Sequence, residues 1–259
     1  SGPETATAGD DYASRVAAVE RLAATPPTAE PHRLGGGQMA DTTLLTHADS
    51  RLVRKLYGRR VPGGKAEIRR QVDAETLGPL VLEAFGVRSA ATHRVSDTEI
   101  IQEHIDGQIG WDIAPFGSAS IPQEILDGDD GRLMGLAEVV IENPDRNEGN
   151  WGQDPDRRLF GIDFGEAFPA VGGRFSVPNP FVAHYVRRPV NRDGTLGAEE
   201  LIDNDLSPGD VASVRARLEA LESRFAALGR GPWLRRMLRR LDQVGKHAKG
   251  TRDRIGGQP

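Results

Sequence analysis

A chain of 259 residues with 37% apolar and 27% charged side chains is long enough to bury a sizeable core, and its composition excludes a fibrous or disordered protein. Its 38 acidic against 33 basic residues give a net charge of -5, which offers nucleic acid or anionic lipid no overall attraction. The absence of cysteine excludes disulfides, thiolate zinc sites and cysteine nucleophiles, and no apolar run reaches the roughly 18 residues of a membrane-spanning helix. The chain therefore reads as a soluble, intracellular protein without a transmembrane segment.

Tyr12, Val16, Val19 and Leu22 recur at helical spacing, and Pro26, Pro27 and Pro31 prevent that helix from continuing. Residues 1–31 thus read as a helix followed by a proline-rich linker. Leu34 to Gln38 is turn-rich. Residues 42–46 and 51–57 then read as antiparallel strands about a turn at Ala48-Asp49-Ser50. From Lys65 to Phe85 the pattern is helical through Ile68, Val72, Leu77, Leu80 and Val81. Gly78-Pro79 is expected to bend or split that helix, and Gly86 to stop it. Residues 91–95 and 99–105 pattern as a hairpin about Ser96-Asp97, with Asp106-Gly107 ending the second strand.

Residues 112–131 carry scattered Gly and Pro and read as loop with short helices at most, whereas 133–141 reads as a buried helix. Ser207-Pro208-Gly209-Asp210 has the form of a helix start, with a capping serine, proline in the first turn and a carboxylate three residues on. Val211, Val214, Leu218, Leu221, Phe225 and Leu228 mark the apolar face of that helix. A last helix after Pro232 buries Leu234, Met237, Leu238 and Leu241 and turns Arg235, Arg236, Arg239 and Arg240 to the other side. That basic face is a solvated surface or a dock for an acidic peptide or lipid head group. The six histidines show no metal-ligand spacing, and Gly58 to Lys65 lacks the spacing and the hydroxyl of a phosphate-binding loop.

The chemistry concentrates in residues 143–169. Asp145 is followed five residues later by Asn150 and thirteen after that by Asp163-Phe164-Gly165, the spacing of a phosphotransfer loop, a short hairpin and a metal-binding turn. Phosphoryl transfer needs one carboxylate to orient and deprotonate the attacking hydroxyl, standing apart from the oxygen ligands of the metal that neutralises the phosphates. Asp145 suits the first role. Asn150 and Asp163 suit the second, and the turn Gln153-Asp154-Pro155-Asp156 lets two strands return both ligands to one point.

The runs Asp145-Arg146-Asn147-Glu148-Gly149-Asn150-Trp151 and Gly161-Ile162-Asp163-Phe164-Gly165-Glu166-Ala167-Phe168-Pro169 resemble the catalytic and metal-binding motifs of the phosphatidylinositol 3- and 4-kinases. The type II 4-kinases are most similar, sharing the Asp-Arg start, the Asn-Trp end and the Ala-Phe-Pro that follows the second motif. The resemblance is confined to residues 143–169. It extends to bacterial toxin kinases and atypical protein kinases of the same fold, and it implies that Asp145, Asn150 and Asp163 serve ATP and magnesium.

The fold so implied is α+β, two-lobed and protein-kinase-like. It has an antiparallel β N-lobe with one helix over 32–107 and a compact, mostly helical C-lobe over 108–259, with ATP and Mg2+ between them. Lys55 lies in the strand that carries the phosphate-gripping lysine of such folds, with Glu75 as its helix partner and Glu67 as the alternative. Lys55 also reads as a solvated strand residue. Gly35, Gly36 and Gly37 form either a phosphate cradle or a flexible loop, and Glu103, His104 and Ile105 would be the hinge meeting adenine through its backbone. Substrate-binding loops fall at 112–131 and 166–205.

Asn143-Pro144 replaces the His-Arg of ordinary protein kinases, and the stretch after Gly165 is short for their full helical lobe. The implied activity is transfer of the γ-phosphate of ATP to a hydroxyl, foremost on a peptide or protein serine or threonine. A phosphoinositide ranks second, since the apolar, cysteine-bearing membrane loop of the type II lipid kinases has no counterpart. A small-molecule acceptor, a nucleotide-binding pseudokinase scaffold and transfer of AMP are the other readings. Oligomeric state is not legible.

Overall fold

A computed structural model describes residues 8–34, 39–58, 61–169 and 179–255. Gly35, Gly36 and Gly37, where a phosphate cradle or a flexible loop is expected, lie outside the described residues.

The first lobe is a five-stranded antiparallel sheet. Strands β1 (His32–Arg33), β2 (Ala40–His47) and β3 (Ser50–Tyr57) are followed in space by β6 (Glu99–Glu103) and β5 (Thr92–Ser96), giving the order β1-β2-β3-β6-β5. Before them in sequence runs α1 (Ala8–Ala23); between β3 and β5 run α2 (Gly64–Ala84) and the short β4 (Arg88–Ser89). Tyr12 and Val19 of α1 bury against Leu45, Leu52 and Ile101 of the sheet and Ala91 just before β5. Arg15 fastens the same helix, donating to the Ser89 carbonyl at 2.9 Å and to Glu103 Oε2 at 2.8 Å and pairing with Glu83.

Helix α2 continues through Gly78-Pro79 and is not split there. An interior proline costs about 3 kcal/mol. Leu77, Val81 and Leu82, at 0–1% exposure, each return roughly 1.5–3 kcal/mol on burial, which outweighs that cost. Gly78 has its own reason to be there: a Cβ would sit 2.4 Å from the Phe164 ring, so only glycine lets the two elements meet.

The second lobe opens with β7 (Gln108–Ile109) and α3 (Gly110–Ile113), then α4 (Gln123–Asp127) and α5 (Asp129–Ile141). The hairpin β8 (Trp151–Gln153) and β9 (Leu159–Gly161) turns through Asp154, whose Oδ1 accepts the N–H groups of Asp156 and Arg158. These strands form the sheet β4-β9-β8-β7, in which β4 lies parallel to β9 and so joins the lobes. A two-stranded ribbon, β10 (Val186–Arg187) and β11 (Glu200–Leu201), precedes α6 (Pro208–Glu219), α7 (Glu222–Ala227) and α8 (Gly231–Gly245). Among the described residues no helix is long and apolar enough to cross a membrane. The whole is the two-lobed, α+β, protein-kinase-like arrangement expected.

Two expectations need correction. The apolar face from Val211 to Leu228 is divided between α6 and α7, with the chain turning at Ala220-Leu221 to bring Phe225 edge-on to Phe168 at 6.1 Å. Nor do the arginines of α8 all face outward. Arg236 and Arg240 meet the Glu142 carboxylate at 3.2 and 3.1 Å, and Arg240 also donates to the Val139 carbonyl, placing two cations at the carbonyl end of α5 where the helix dipole favours them.

The segment before α8 reaches back to the first lobe. Asp73 of α2, fully buried, receives Arg94 of β5 at 3.0 Å and Arg230 at 2.7 Å. Arg230 lies over Trp233, which stacks on Phe168 with centroids 4.8 Å apart.

The capping box at the start of α6 is complete: Ser207 Oγ accepts from Asp210 N–H at 2.9 Å and Asp210 Oδ2 accepts from Ser207 N–H at 3.0 Å. Asp210 Oδ1 also accepts the Arg254 and Ile255 N–H groups, both at 2.7 Å. Burial alone would raise its pKa, but the N–H groups of Ile255, Ser207 and Arg254 hold it below the ordinary carboxylate range. A depressed pKa means stability that is present above the unfolded value and lost as pH falls through the folded one. Asp210→Ala is expected to cost about 2–3 kcal/mol at neutral pH, read as a lower urea midpoint, with the difference from the parent shrinking in acid. An unchanged midpoint would remove Asp210 from the ties that hold the chain's last described residues.

Candidate active site

Strand β3 alternates, so Lys55 and Tyr57 share one face and both are buried. That face looks at α2, where Glu75 is fully buried. Lys55 Nζ forms an ion pair with Glu75 and lies 3.4 Å from Asp163 Oδ1. The Glu75 carboxylate also accepts from Tyr57 Oη at 2.9 Å, from Phe164 N–H at 3.1 Å and from Gln102 Nε2 at 3.4 Å. Glu67, the alternative partner, pairs instead with Arg70 at 2.7 Å.

Electrostatics follow from this crowding. Burial opposes the charge on Lys55, but Asp163 and Glu75 outweigh it and hold its pKa above the ordinary 10.5. Partial burial between the lobes works against an ionised Asp163, and Lys55 wins, keeping that carboxyl below its usual range. Glu75 is the group that burial pushes upward, against the pull of Lys55.

The loop carrying Asp145 is organised by its neighbour. Arg146, 1% exposed, donates through Nε and Nη2 to Glu138 Oε1 of α5 at 2.9 and 2.7 Å and through Nη1 to the carbonyls of Asn150 and Ile162. Its guanidinium lies 4.7 Å from the centre of the Phe164 ring. One buried cation thus fixes the end of α5, the loop and the strand leading to Asp163. The Asp145 carboxylate accepts from Asn147 Nδ2 at 2.7 Å and from Asn150 Nδ2 at 3.3 Å; among the described residues no Lys or Arg pairs with it.

Asn150 spends its amide nitrogen on Asp145, donating also to that residue's carbonyl at 2.6 Å, so its side-chain oxygen is the end that can ligate a cation. Asp163 is half exposed and adopts φ 58°, a left-handed conformation uncommon outside glycine that turns its carboxylate towards Lys55. Among the described residues no group of three or more His, Cys, Asp or Glu could hold a metal. Two oxygen ligands suit magnesium, which keeps several waters and is bound together with substrate phosphates.

Arg70 completes the frame. It donates to the Gly165 and Ala167 carbonyls at 2.8 and 2.7 Å, securing the turn after Asp163 to α2. Neither Arg70 nor the Arg146–Glu138 pair stood out in the sequence; the Asp-Arg pair at 145–146 was the one available signal. The hinge expectation changes in detail. His104 N–H is committed to the Arg51 carbonyl and Glu103 N–H to the Ala91 carbonyl, while the Glu103 side chain is held by Arg15 and Arg88. Ile105 is buried beside Ala90 and Phe160. Cavities of about 480 and 720 Å³ open elsewhere, one against α1 and one at the start of α2, and neither is lined by Lys55, Asp145, Asn150 or Asp163.

No protein-family profile matches the chain, and no curated protein matches it. Among solved structures it is similar to the proinflammatory kinase CtkA of Helicobacter pylori, at 9% identity over 86% of this chain and 93% of that one, with a TM-score of 0.48. It is also similar to the PknI kinase domain of Mycobacterium tuberculosis, at 20% identity over 52% of this chain and 58% of that one, with a TM-score of 0.35. Values this low carry no argument about activity, so the functional reading rests on the residues themselves.

Two tests follow from this geometry. Gly78→Ala would raise helix propensity by about 1 kcal/mol, yet its methyl meets Phe164; it should lower stability, read as a lower urea midpoint, by displacing the turn at Asp163. A stabilised variant would show that the contact relaxes freely. Because the folded Lys55 pKa exceeds its unfolded value, the ion pair stabilises fully below 10.5 and is lost as pH rises beyond it. Urea midpoints of the parent and Lys55→Met should therefore differ at neutral pH and converge only in stronger alkali, and convergence near neutrality would contradict the assignment.

Proposed function

We propose that the chain is an ATP- and magnesium-dependent phosphotransferase that moves the γ-phosphate of ATP to a hydroxyl, foremost on a peptide or protein serine or threonine. The observation that carries this reading is Lys55 bridging Glu75 and Asp163 at the meeting of two lobes, beside a loop that presents Asp145 and Asn150. Lys55 is placed to neutralise phosphate oxygens while Glu75 keeps its ammonium oriented. Asn150 and Asp163 would hold magnesium, which when bound offsets charge on the phosphates. Asp145 has two amide donors to orient it and no paired cation among the described residues, so its carboxylate suits acceptance of a proton.

In the step so assigned, the acceptor oxygen bonds to the γ-phosphorus, the bond from that phosphorus to the β–γ bridging oxygen breaks, and the acceptor proton passes to Asp145. ADP carries away the electron pair of the broken bond. The motif resemblance favours the phosphatidylinositol 3- and 4-kinase-like group over ordinary protein kinases, and dependence on ATP favours a cytoplasmic address.

The test uses ATP labelled separately at the α and γ positions, with magnesium and hydroxyl acceptors, on the parent, Asp145→Ala and Asp163→Ala. Transfer of the γ label should fall about a hundredfold or more in both variants. Transfer of the α label would instead establish nucleotidyl transfer, and nucleotide binding without movement of either label would establish a scaffold.

A further inference from the structure

The loop beside Asp145 carries an aromatic surface that the proposed chemistry leaves unassigned. Phe116 is 90% exposed and Trp111 49%, the two largest exposed aromatic side chains among the described residues. Both flank the catalytic loop. Trp111 N–H donates to the Glu148 carbonyl at 3.1 Å, and a Cβ on Gly149 would sit 3.0 Å from the Trp111 indole nitrogen. Gly117, next to Phe116, approaches Glu148 Oε1, where its Cβ would lie 3.9 Å away. Glu148 and Gly149 stand between Asp145 and Asn150, so this surface borders the place where an acceptor hydroxyl must enter.

The segment that carries these aromatics is acidic. From Gly107 to Gly131 the chain contains Asp112, Glu124, Asp127, Asp129 and Asp130 and no Lys, Arg or His. Asp127 meets His184 at 3.2 Å and Asp130 accepts from Leu159 N–H, whereas Asp112, Glu124 and Asp129 are exposed and have no ion pair among the described residues. An aromatic face buries apolar area and attracts cations to its ring faces, and neighbouring carboxylates favour a cationic partner while repelling an anionic bilayer.

We infer that Trp111 and Phe116, with the exposed Asp112 next to Trp111 on an acidic segment, form the acceptor-docking surface, and that its occupant is a cationic peptide segment carrying an apolar side chain near the acceptor hydroxyl. This rests on the phosphotransferase reading for the word acceptor; the surface itself is testable without catalysis. Rim charges of this kind act chiefly on encounter and selectivity, while the aromatic pair anchors.

The experiment measures anisotropy of a labelled serine peptide carrying arginine and leucine, titrated with the full chain without nucleotide. A counterpart with glutamate for arginine, and phosphatidylserine vesicles, serve as competitors. The cationic peptide should bind about tenfold or more tightly than its acidic counterpart. Its affinity should fall by about fivefold or more in Trp111→Ala and in Phe116→Ala, and should weaken with added salt and in Asp112→Lys. Equal binding of the two peptides, binding of neither, unchanged affinity in both aromatic variants, or preference for the vesicles would each overturn the inference. Parallel γ-label transfer separates the two claims. Transfer to both peptides alike sinks the docking surface and leaves the phosphotransferase; selective binding without transfer does the reverse.

Discussion

Everything at this site depends on how one buried carboxylate is satisfied. Glu75 sits in the interior of α2, where an unpaired charge would cost several kcal/mol. Four donors from three places meet that cost: Lys55 and Tyr57 from β3, Gln102 from β6 and the Phe164 N–H from the turn after Asp163. Each donor belongs to an element that must be correctly placed for the bond to form. The carboxylate therefore acts as a gauge of alignment: sheet, helix and the turn after Asp163 are jointly stable only in the arrangement that sets Lys55 beside Asp163.

Two arginines extend the same logic into the second lobe. Arg146 is buried only because Glu138, two carbonyls and the Phe164 ring surround it, and its removal would leave Glu138 without its cation in the core. Arg70 performs the matching task from α2, taking the carbonyls that the turn after Asp163 cannot satisfy within itself. Asp145, Asn150 and Asp163 thus stand on loops, yet the loops are pinned to helices by charge-assisted bonds and share their rigidity.

The sequence was legible where the information is local. The Asp145, Asn150 and Asp163 spacing, the hairpin between them and the Ser207 to Asp210 cap each lie within a short window, and periodicity marked the strands around Lys55. It was opaque where burial is decided from afar. Arg70, Arg146 and Arg236 look like surface residues by type, and only partners distant in the fold show otherwise. Pro79 reads as a helix breaker because local rules cannot see the core that keeps α2 continuous. The turn between α6 and α7 escaped notice for the converse reason: one continuous apolar stripe serves equally for one helix or for two that change direction.

Asp73 has a consequence of a mechanical kind. It lies two residues before Glu75 and is gripped by Arg230 from the far end of the chain, so the two lobes are latched on the side of α2 as well as joined through β4 and β9. Withdrawing an arginine from a buried carboxylate costs about 3–5 kcal/mol, which would hold an unlatched, gaping molecule to between about one in a hundred and one in several thousand. For any ligand held between the lobes, entry and exit would then be limited by how often that latch lets go.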